Sequence, residues 1–347
     1  MPVQYVVLQR RVPAVTWEQM RQALRNLPLG EDDPSLPPPE RRRRERWKKS
    51  LLSAIHVEPV DTQIRRYPCG ALAAHVLGFT GILESTNGPW AGDIEGREGI
   101  ESSLDPVLRG ARGWREVQRV IRDRTAVYEA GEEVAARPGL SVVLTIDANL
   151  QRIAEAELQA ACDRHSPKGA SCVIVRPATG EILALANYPT FDPNRPGEAS
   201  ADARRNRAIA DMHEPGSTFK VVTIAGALDA GVVRLDEPID CQQGSFLFWG
   251  ERLSDVHPSG VLSVLMVVAK SSNIGAAKVG IRMGPPLLYE SVRRFGLGEL
   301  TGIPLPGERS GLVWPTNRWS KISVAWIPMG HEVATTPLQM TMAVAAV

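Results

Sequence analysis

The chain has 347 residues, enough for two domains and a sizeable core, and 43% of them are hydrophobic, as in globular proteins. Its 40 basic and 39 acidic side chains give a net charge of +1, so overall charge does not draw it to nucleic acid. No signal peptide is recognisable, and no apolar run is long enough to cross a bilayer.

The cysteines are too few and too scattered for a structural framework. Cys69, Cys162, Cys172 and Cys241 lack the spacing of a metal site, and four in this length do not form a disulfide scaffold. We therefore expect buried free thiols. The sequence gives no indication of a metal or a cofactor.

The amino-terminal part, residues 1–138, mixes short patterns without one dominant period. We expect a short strand at residues 5–9, an amphipathic helix at 17–27 and a proline-rich loop at 32–39. Residues 41–49 form a basic run. Such a run can attract anionic lipid or nucleic acid, but more often it is a solvated helix face, which we favour here.

A domain boundary is expected at Arg137-Pro138-Gly139, which divides the chain into residues 1–138 and 139–347. Beyond it, residues 141–146 are β-branched and predict a strand, and residues 150–162 have helical spacing. Residues 171–175 and 181–186 predict a hairpin, because turn-forming residues separate them. This order of elements indicates an α+β fold.

The heptapeptide Glu-Pro-Gly-Ser-Thr-Phe-Lys at residues 214–220 says most about function. Residues at i and i+3 share a helical face, so Ser217 and Lys220 can meet. A serine hydroxyl is a poor nucleophile until a base removes its proton, and a neutral lysine is such a base. The pair therefore indicates acyl transfer through a serine ester.

A Ser-x-x-Lys pair alone is a weak signal, because serine often caps helices and lysine is common in them. Its position strengthens the signal: a Pro-Gly break precedes it, and the apolar sequence from Thr218 to a stop at Gly231 predicts a buried helix. Burial disfavours the charged amine and lowers its pKa toward the value that a base near neutrality needs. At the positive end of that helix, Ser217 is favourably placed for an oxyanion.

A second element follows at residues 261–280. Residues 261–269 predict one buried helix and residues 274–280 another, with the polar break Lys270-Ser271-Ser272-Asn273 between them. Such a break can aim the Ser271 hydroxyl and the Asn273 amide at a cleft. The alternative is that these two residues only cap the second helix, which is their usual role.

Two histidines are weaker candidates for chemistry. His213 precedes Ser217 by four residues, but no Gly-x-Ser-x-Gly elbow surrounds the serine, so we expect this histidine behind the site or at the surface. His257 lacks a second ligand at metal spacing, which indicates a loop residue.

Taken together, the two motifs resemble those of class B penicillin-binding proteins, the monofunctional transpeptidases of bacterial cell-wall elongation and division. The resemblance extends over roughly residues 60–347. It is carried by five further segments, at residues 65–78, 96–110, 143–151, 179–186 and 336–340. It implies an amino-terminal, non-catalytic pedestal with a dimerisation-type domain. A penicillin-binding and β-lactamase-like transpeptidase domain, a sheet with helices on both sides, would follow.

The resemblance also implies roles for the site residues. Ser217 would attack the D-alanyl-D-alanine end of a peptidoglycan stem peptide, Lys220 would take its proton, and Ser271 would pass a proton to the departing amine. Asn273 would hydrogen-bond Lys220 and the substrate amide. β-Lactams would acylate the same serine. Implied partners are a membrane glycosyltransferase and other cell-wall synthesis proteins, with no nucleic acid, at the extracytoplasmic face of the cytoplasmic membrane.

One departure from the family pattern concerns its third motif, Lys-Ser/Thr-Gly on a strand that lines the cleft. No such tripeptide follows Asn273 in this sequence. The strand supplies a cation for the substrate carboxylate and an oxyanion-hole amide, and losing one such donor costs about 10²–10³ in rate. The resemblance therefore predicts a chain that is truncated at both ends, without anchor or carboxy-terminal strands, and inactive in isolation.

Two other functions stay open at this point. One is a serine β-lactamase or penicillin-sensor domain, which the long amino-terminal part and the lack of an obvious deacylating glutamate motif disfavour. The other is a non-catalytic cell-wall scaffold. The presence of both Ser217 and Lys220 argues against it, and the missing third motif argues for it.

Overall fold

The structure, a computed structural model, describes residues 12, 14–27, 35–55, 65–82, 94–111, 113–119 and 127–347. The chain divides into two compact units, Met1–Thr62 and Gln63–Val347. The strand predicted at residues 5–9 lies outside the described residues. The division predicted at residues 138 and 139 remains a prediction.

Within the described residues, the first unit contains the helices α1 (Ala14–Arg25) and α2 (Pro38–Ala54). The first agrees with the amphipathic helix predicted at residues 17–27. The loop predicted at 32–39 is too long, since two of its prolines already belong to the first turn of α2. Proline is tolerated there because its missing N–H has no partner in a first turn. The basic run is helical and mostly exposed, as predicted.

The second unit begins with short elements before the longer helix α6. They are α3 (Ala74–Leu77), β1 (Thr80–Ile82), β2 (Ile94–Gly96), α4 (Gly99–Ser103), α5 (Asp105–Leu108), β3 (Trp114–Arg119), β4 (Val127–Val134) and α6 (Ala148–His165). Strand β1 pairs with β2 and β3 with β4, both antiparallel.

The elements that follow carry the predicted motifs. The first group is β5 (Ala170–Arg176), β6 (Glu181–Tyr188), α7 (Ala201–Arg204), α8 (Arg207–Ala210), α9 (Lys220–Asp229), β7 (Pro238–Asp240), β8 (Ser245–Phe248) and β9 (Glu251–Ser254). The second group is β10 (Val261–Ser263), α10 (Val264–Ala269), α11 (Asn273–Arg294), β11 (Leu312–Val313), α12 (Ser323–Trp326), β12 (Val333–Ala334) and α13 (Pro337–Ala345). Antiparallel pairs join β7 to β10, β8 to β9 and β11 to β12.

The hairpin of β5 and β6 has helices on both faces. Side chains that alternate along a strand point to opposite faces. Ala184 and Ala186 pack with Ala154 of α6, whereas Leu185 packs with Ile209 of α8 and Leu338 of α13. The predicted hairpin and the α+β class are therefore confirmed. In the described part of the chain, β5 is paired with β6 alone.

The prediction of a strand at residues 141–146 is wrong, because this segment forms no strand in the structure. Asp147 N donates to Leu183 O at 2.9 Å, and the Thr145 hydroxyl donates to Ile182 O at 2.6 Å. At the next edge position, the Gln151 side chain bonds both the N–H and the C=O of Leu185. The backbone groups along this edge of β6 are thus already hydrogen-bonded to side chains and to the residue before α6. Residues 141–146 therefore find no free backbone groups on β6 with which to pair as a strand.

The prediction of a single helix at residues 261–269 is also wrong for the first three residues. Residues Val261–Ser263 form β10, which pairs with β7, and helix α10 begins only at Val264. Ser263 caps that helix, since its hydroxyl accepts from Met266 N at 3.2 Å. A short apolar run does not distinguish a strand from a buried helix, and the partner strand decided here.

The largest core cluster surrounds α9 and α11. Buried side chains of α9, such as Val222, pack in the same cluster as Ile274 and Leu288 of α11. The helix predicted at residues 274–280 continues to Arg294, with a break at Gly284, whose φ is +71°. The predicted motifs lie at the starts of these two helices, which meet where Lys220 Nζ donates to Asn273 Oδ1.

We predict that Gln151→Leu lowers the free energy of unfolding by about 2–4 kcal/mol, because it leaves two buried backbone groups of Leu185 without partners. Urea unfolding measures the change. Gln159→Leu on the exposed side of the same helix is the matched control, with an expected change under about 0.5 kcal/mol. Equal effects of the two substitutions would contradict this account of the β6 edge.

Candidate active site

Ser217 lies in a 3₁₀ turn, Gly216–Phe219, that leads into α9. Gly216 adopts a φ of +56°, a conformation that favours glycine, and turns the chain into the helix. The Thr218 hydroxyl donates to Pro215 O at 2.7 Å and holds this turn. Ser217 itself is exposed, so its hydroxyl is open to a ligand from solvent.

Lys220 is almost completely buried, with 1% of its surface exposed. Its Nζ lies 3.1 Å from Ser217 Oγ and 2.8 Å from Asn273 Oδ1. It also lies 3.0 Å from Ser271 Oγ and 2.6 Å from Ser271 O. The structure thus brings all four predicted site residues around one amine.

Burial lowers the pKa of Lys220 from 10.5 to about 8, and the nearby carboxylate of Asp255 opposes this with a smaller upward effect. A lysine with this pKa is partly neutral near pH 7. Its lone pair can then accept the proton of the Ser217 hydroxyl, which is the arrangement required of a general base.

The Ser271–Asn273 break has an unusual backbone. Ser271 adopts a φ of +55°, which is uncommon for a residue other than glycine and turns its C=O and its hydroxyl toward Lys220. Ser272, between the two predicted residues, is the N-cap of α11 and accepts from Gly275 N at 3.0 Å. The alternative that Ser271 and Asn273 cap this helix is therefore wrong, because Ser272 fills that position.

Asp255 holds this break in place, although no sequence pattern pointed to it. Its carboxylate accepts from Ser272 Oγ at 2.7 Å, Asn273 N at 2.6 Å and Ile274 N at 3.0 Å. The Asn273 amide is fixed at both ends, because its Nδ2 donates to Ser254 O at 3.0 Å while its Oδ1 accepts from Lys220. Asp255 follows β9 in a loop, and no spacing rule connects it with the break.

The turn before Ser217 is held from the other side by residues 330–335. His213 and Thr335 exchange both backbone hydrogen bonds, at 3.1 and 3.0 Å, and Gly216 N donates to Gly330 O at 3.2 Å. A Cβ at Gly330 would lie 2.2 Å from Gly216 O, so only glycine permits this approach. These contacts fix the position of the exposed serine.

Glu214 strengthens the same connection with its side chain. It accepts from Glu332 N at 2.9 Å and lies 3.0 Å from His331 Nδ1. The hydrogen bonds from His331 and from the Glu332 backbone lower the pKa of Glu214, so this carboxylate is charged at neutral pH. Sequence reasoning assigned no role to Glu214 or His331, since 117 residues separate them.

The weaker candidates lie outside this cluster. His213 is exposed and contributes backbone bonds, and His257 is an exposed loop residue, as predicted. Of the four cysteines, Cys69 is exposed, contrary to the expectation of buried thiols, while Cys162 and Cys241 are buried. Over the described ranges, no group of acidic, histidine or cysteine side chains could hold a metal ion.

None of the helices in the part of the chain that the structure describes is both long and apolar enough to cross a bilayer.

Two family models match this chain. The penicillin-binding protein transpeptidase domain matches residues 170–347, which contain all four residues of the predicted site. The penicillin-binding protein dimerisation domain matches residues 40–144.

Curated relatives match most of the chain. The probable peptidoglycan D,D-transpeptidase PenA of Neisseria meningitidis is 37% identical over 286 residues, which cover 81% of this chain and 47% of that protein. The peptidoglycan D,D-transpeptidase FtsI of Escherichia coli is 35% identical over 302 residues, covering 86% of this chain and 48% of that protein. The chain thus spans about half the length of these relatives.

Solved structures give the same picture. Penicillin-binding protein 3 of Mycobacterium tuberculosis has a TM-score of 0.67 and 34% identity, over 82% of this chain and 58% of that one. The same protein has been solved in complex with aztreonam and with ampicillin. With the transpeptidase-domain model matching half of its residues, the chain belongs to the penicillin-binding protein transpeptidase family.

Proposed function

We propose that this chain carries the serine acyl-transfer site of a peptidoglycan D,D-transpeptidase. The observation that carries the proposal is the buried Lys220 amine, which lies within hydrogen-bonding distance of Ser217 Oγ, Ser271 Oγ and Asn273 Oδ1. The names of the relatives, which are peptidoglycan D,D-transpeptidases, support the same activity.

The first step is acylation. Ser217 Oγ attacks the carbonyl carbon between the two terminal D-alanines of a stem peptide while neutral Lys220 takes the hydroxyl proton. The amide C–N bond then breaks, and the departing D-alanine amine receives a proton through Ser271, whose hydroxyl hydrogen-bonds Lys220. Ser217 N–H, at the start of α9, is a suitable donor to the oxyanion. The remaining N–H of Asn273 would then hydrogen-bond the substrate amide.

The second step is aminolysis. An amino group of a neighbouring peptidoglycan strand attacks the ester carbonyl, the bond to Ser217 Oγ breaks, and the serine regains its proton. This forms a cross-link in the cell wall. A β-lactam enters the same first step, because its strained amide is opened by Ser217, but its leaving group remains attached. The β-lactam complexes of the mycobacterial relative support this proposal.

The setting of this activity is part of the proposal. Residues 1–138 would form the non-catalytic pedestal and residues 139–347 the transpeptidase domain, at the extracytoplasmic face of the bacterial cytoplasmic membrane. A membrane glycosyltransferase and other cell-wall synthesis proteins would be its partners. Because no Lys-Ser/Thr-Gly follows Asn273 in the sequence, we propose that residues 1–347 alone acylate slowly or not at all.

We predict that a fluorescent penicillin forms a covalent adduct on Ser217 in a chain extended to include the third motif, and little or none in residues 1–347 alone, as detected by gel fluorescence and peptide mass spectrometry. The probe is applied to this chain and to a form extended by a Lys-Ser/Thr-Gly strand from a family member. Ser217→Ala abolishes the adduct, because it removes the hydroxyl that forms the ester. The exposed Ser141→Ala is the control and retains it.

The lifetime of the adduct separates the alternatives. An adduct that persists for minutes supports the transpeptidase, whereas rapid hydrolysis supports a β-lactamase. No adduct in either protein, with both folded, would support the non-catalytic scaffold and contradict the proposed function.

We predict that the acylation rate rises with pH and levels off above a midpoint of about 8, because only the neutral Lys220 amine accepts the serine proton. Relative to a lysine at its ordinary pKa of 10.5, this increases the neutral fraction at pH 7 by about 300-fold. The profile is measured by stopped-flow kinetics of acylation, on whichever of the two proteins forms the adduct. A midpoint near 10 would contradict the lowered pKa of Lys220, and a rate that does not depend on pH would contradict its assignment as the base.

We predict that Asp255→Asn shifts this midpoint to lower pH. The Asp255 carboxylate raises the pKa of Lys220, so removing its charge makes the amine neutral at lower pH. The asparagine can still accept from Asn273 N and Ile274 N and so preserves the turn. Asp255→Ala cannot accept these hydrogen bonds and should lower the acylation rate by about 10²-fold, because a displacement of site groups by about 1 Å can cost that much. An unchanged midpoint in Asp255→Asn would show a purely structural role.

A further inference from the structure

Helix α2 concentrates positive charge to a degree that the rest of the chain does not share. Between Pro38 and Ala54 it has seven Arg and Lys side chains and two Glu, a net charge of +5, whereas the whole chain carries +1. The remaining residues therefore carry a net charge of −4. Net positive charge is therefore a property of this helix and not of the remaining residues taken together.

Four of these cations share one exposed side of the helix. Arg42, Arg43, Arg46 and Lys49 are spaced by three or four residues, and all are exposed. At 1.5 Å per residue they extend over about 10 Å of helix. Lys49 forms an exposed ion pair with Glu45 at 3.2 Å, which neutralises only part of this charge.

Trp47 borders the same cationic face. It lies four residues after Arg43, one turn along the helix, and 58% of its surface is exposed. An indole is largely apolar with one polar N–H, and it is most stable where an apolar layer meets water. Contact with phosphates alone gives no reason for an exposed indole beside these arginines.

We propose that this face, Arg42, Arg43, Arg46, Lys49 and Trp47, binds the surface of a bilayer that contains anionic phospholipids. The cations contact the lipid phosphates, and the indole enters the interfacial layer beneath them. Duplex nucleic acid offers the same phosphates but keeps its bases stacked inside, so it explains the arginines and leaves Trp47 unused. The proposal does not depend on the proposed transpeptidase activity.

The test uses the whole chain and sedimentation with vesicles. We expect binding to vesicles of phosphatidylcholine with phosphatidylglycerol, and little binding to pure phosphatidylcholine. Binding must weaken as salt is raised, because the Debye length falls from about 10 Å at 0.1 M to about 3 Å at 1 M.

Charge variants locate the binding face. Each cation near an anionic membrane contributes about fivefold in partition coefficient, so Arg42→Gln with Arg46→Gln should lower it about 30-fold. The matched control removes two exposed arginines from α6, Arg152→Gln with Arg164→Gln, and should change it little. Circular dichroism checks that both variants keep their helices.

Trp47→Ala separates a bilayer from nucleic acid. It should weaken vesicle binding, whereas Trp249→Ala, which removes an indole that is 65% exposed elsewhere, should not. Equal binding to both kinds of vesicle, or equal effects of the two arginine pairs, would overturn the proposal. So would vesicle binding unaffected by Trp47→Ala together with tight, salt-sensitive binding to duplex DNA.

Discussion

The Lys220 amine lies buried among oxygen atoms from three residues, Ser217, Ser271 and Asn273, and the geometry of the site depends on this one arrangement. Burying an ammonium ion is costly, and the resulting fall in pKa to about 8 is what makes the amine usable as a base. The hydrogen bonds keep it from being an unsatisfied polar group. The same burial thus explains both the chemistry and the need for so many partners.

Two helices of one core make this burial possible. Lys220 opens α9 and Asn273 opens α11, and the buried side chains of both helices pack in a single cluster. A shift of either helix would move its first turn relative to the amine. Asp255 and the contacts of Gly330 with Gly216 hold the two turns from outside the core. The site is therefore fixed by packing and by polar contacts together.

Charge serves different purposes in the two units of the chain. Around Lys220 a single carboxylate, Asp255, moderates the loss of positive charge, and its effect depends on burial. On α2 the cations are exposed and close in sequence, so their effect depends on number and on salt. The first arrangement suits proton transfer and the second suits contact with a large anionic surface.

The sequence by itself determined the local features: the Ser217 turn before a buried helix, the polar break at residues 271–273, the β5–β6 hairpin and the basic helix. Each depends on neighbours within a few residues, so spacing and turn chemistry suffice. Tertiary structure decided the rest. Residues 141–146 form no strand because the edge of β6 is already satisfied, Val261–Ser263 form one because β7 offers a partner, and Asp255 and His331 reach the site only through folding. Partners this distant in sequence leave no periodic signal, because their contact arises only when the core packs.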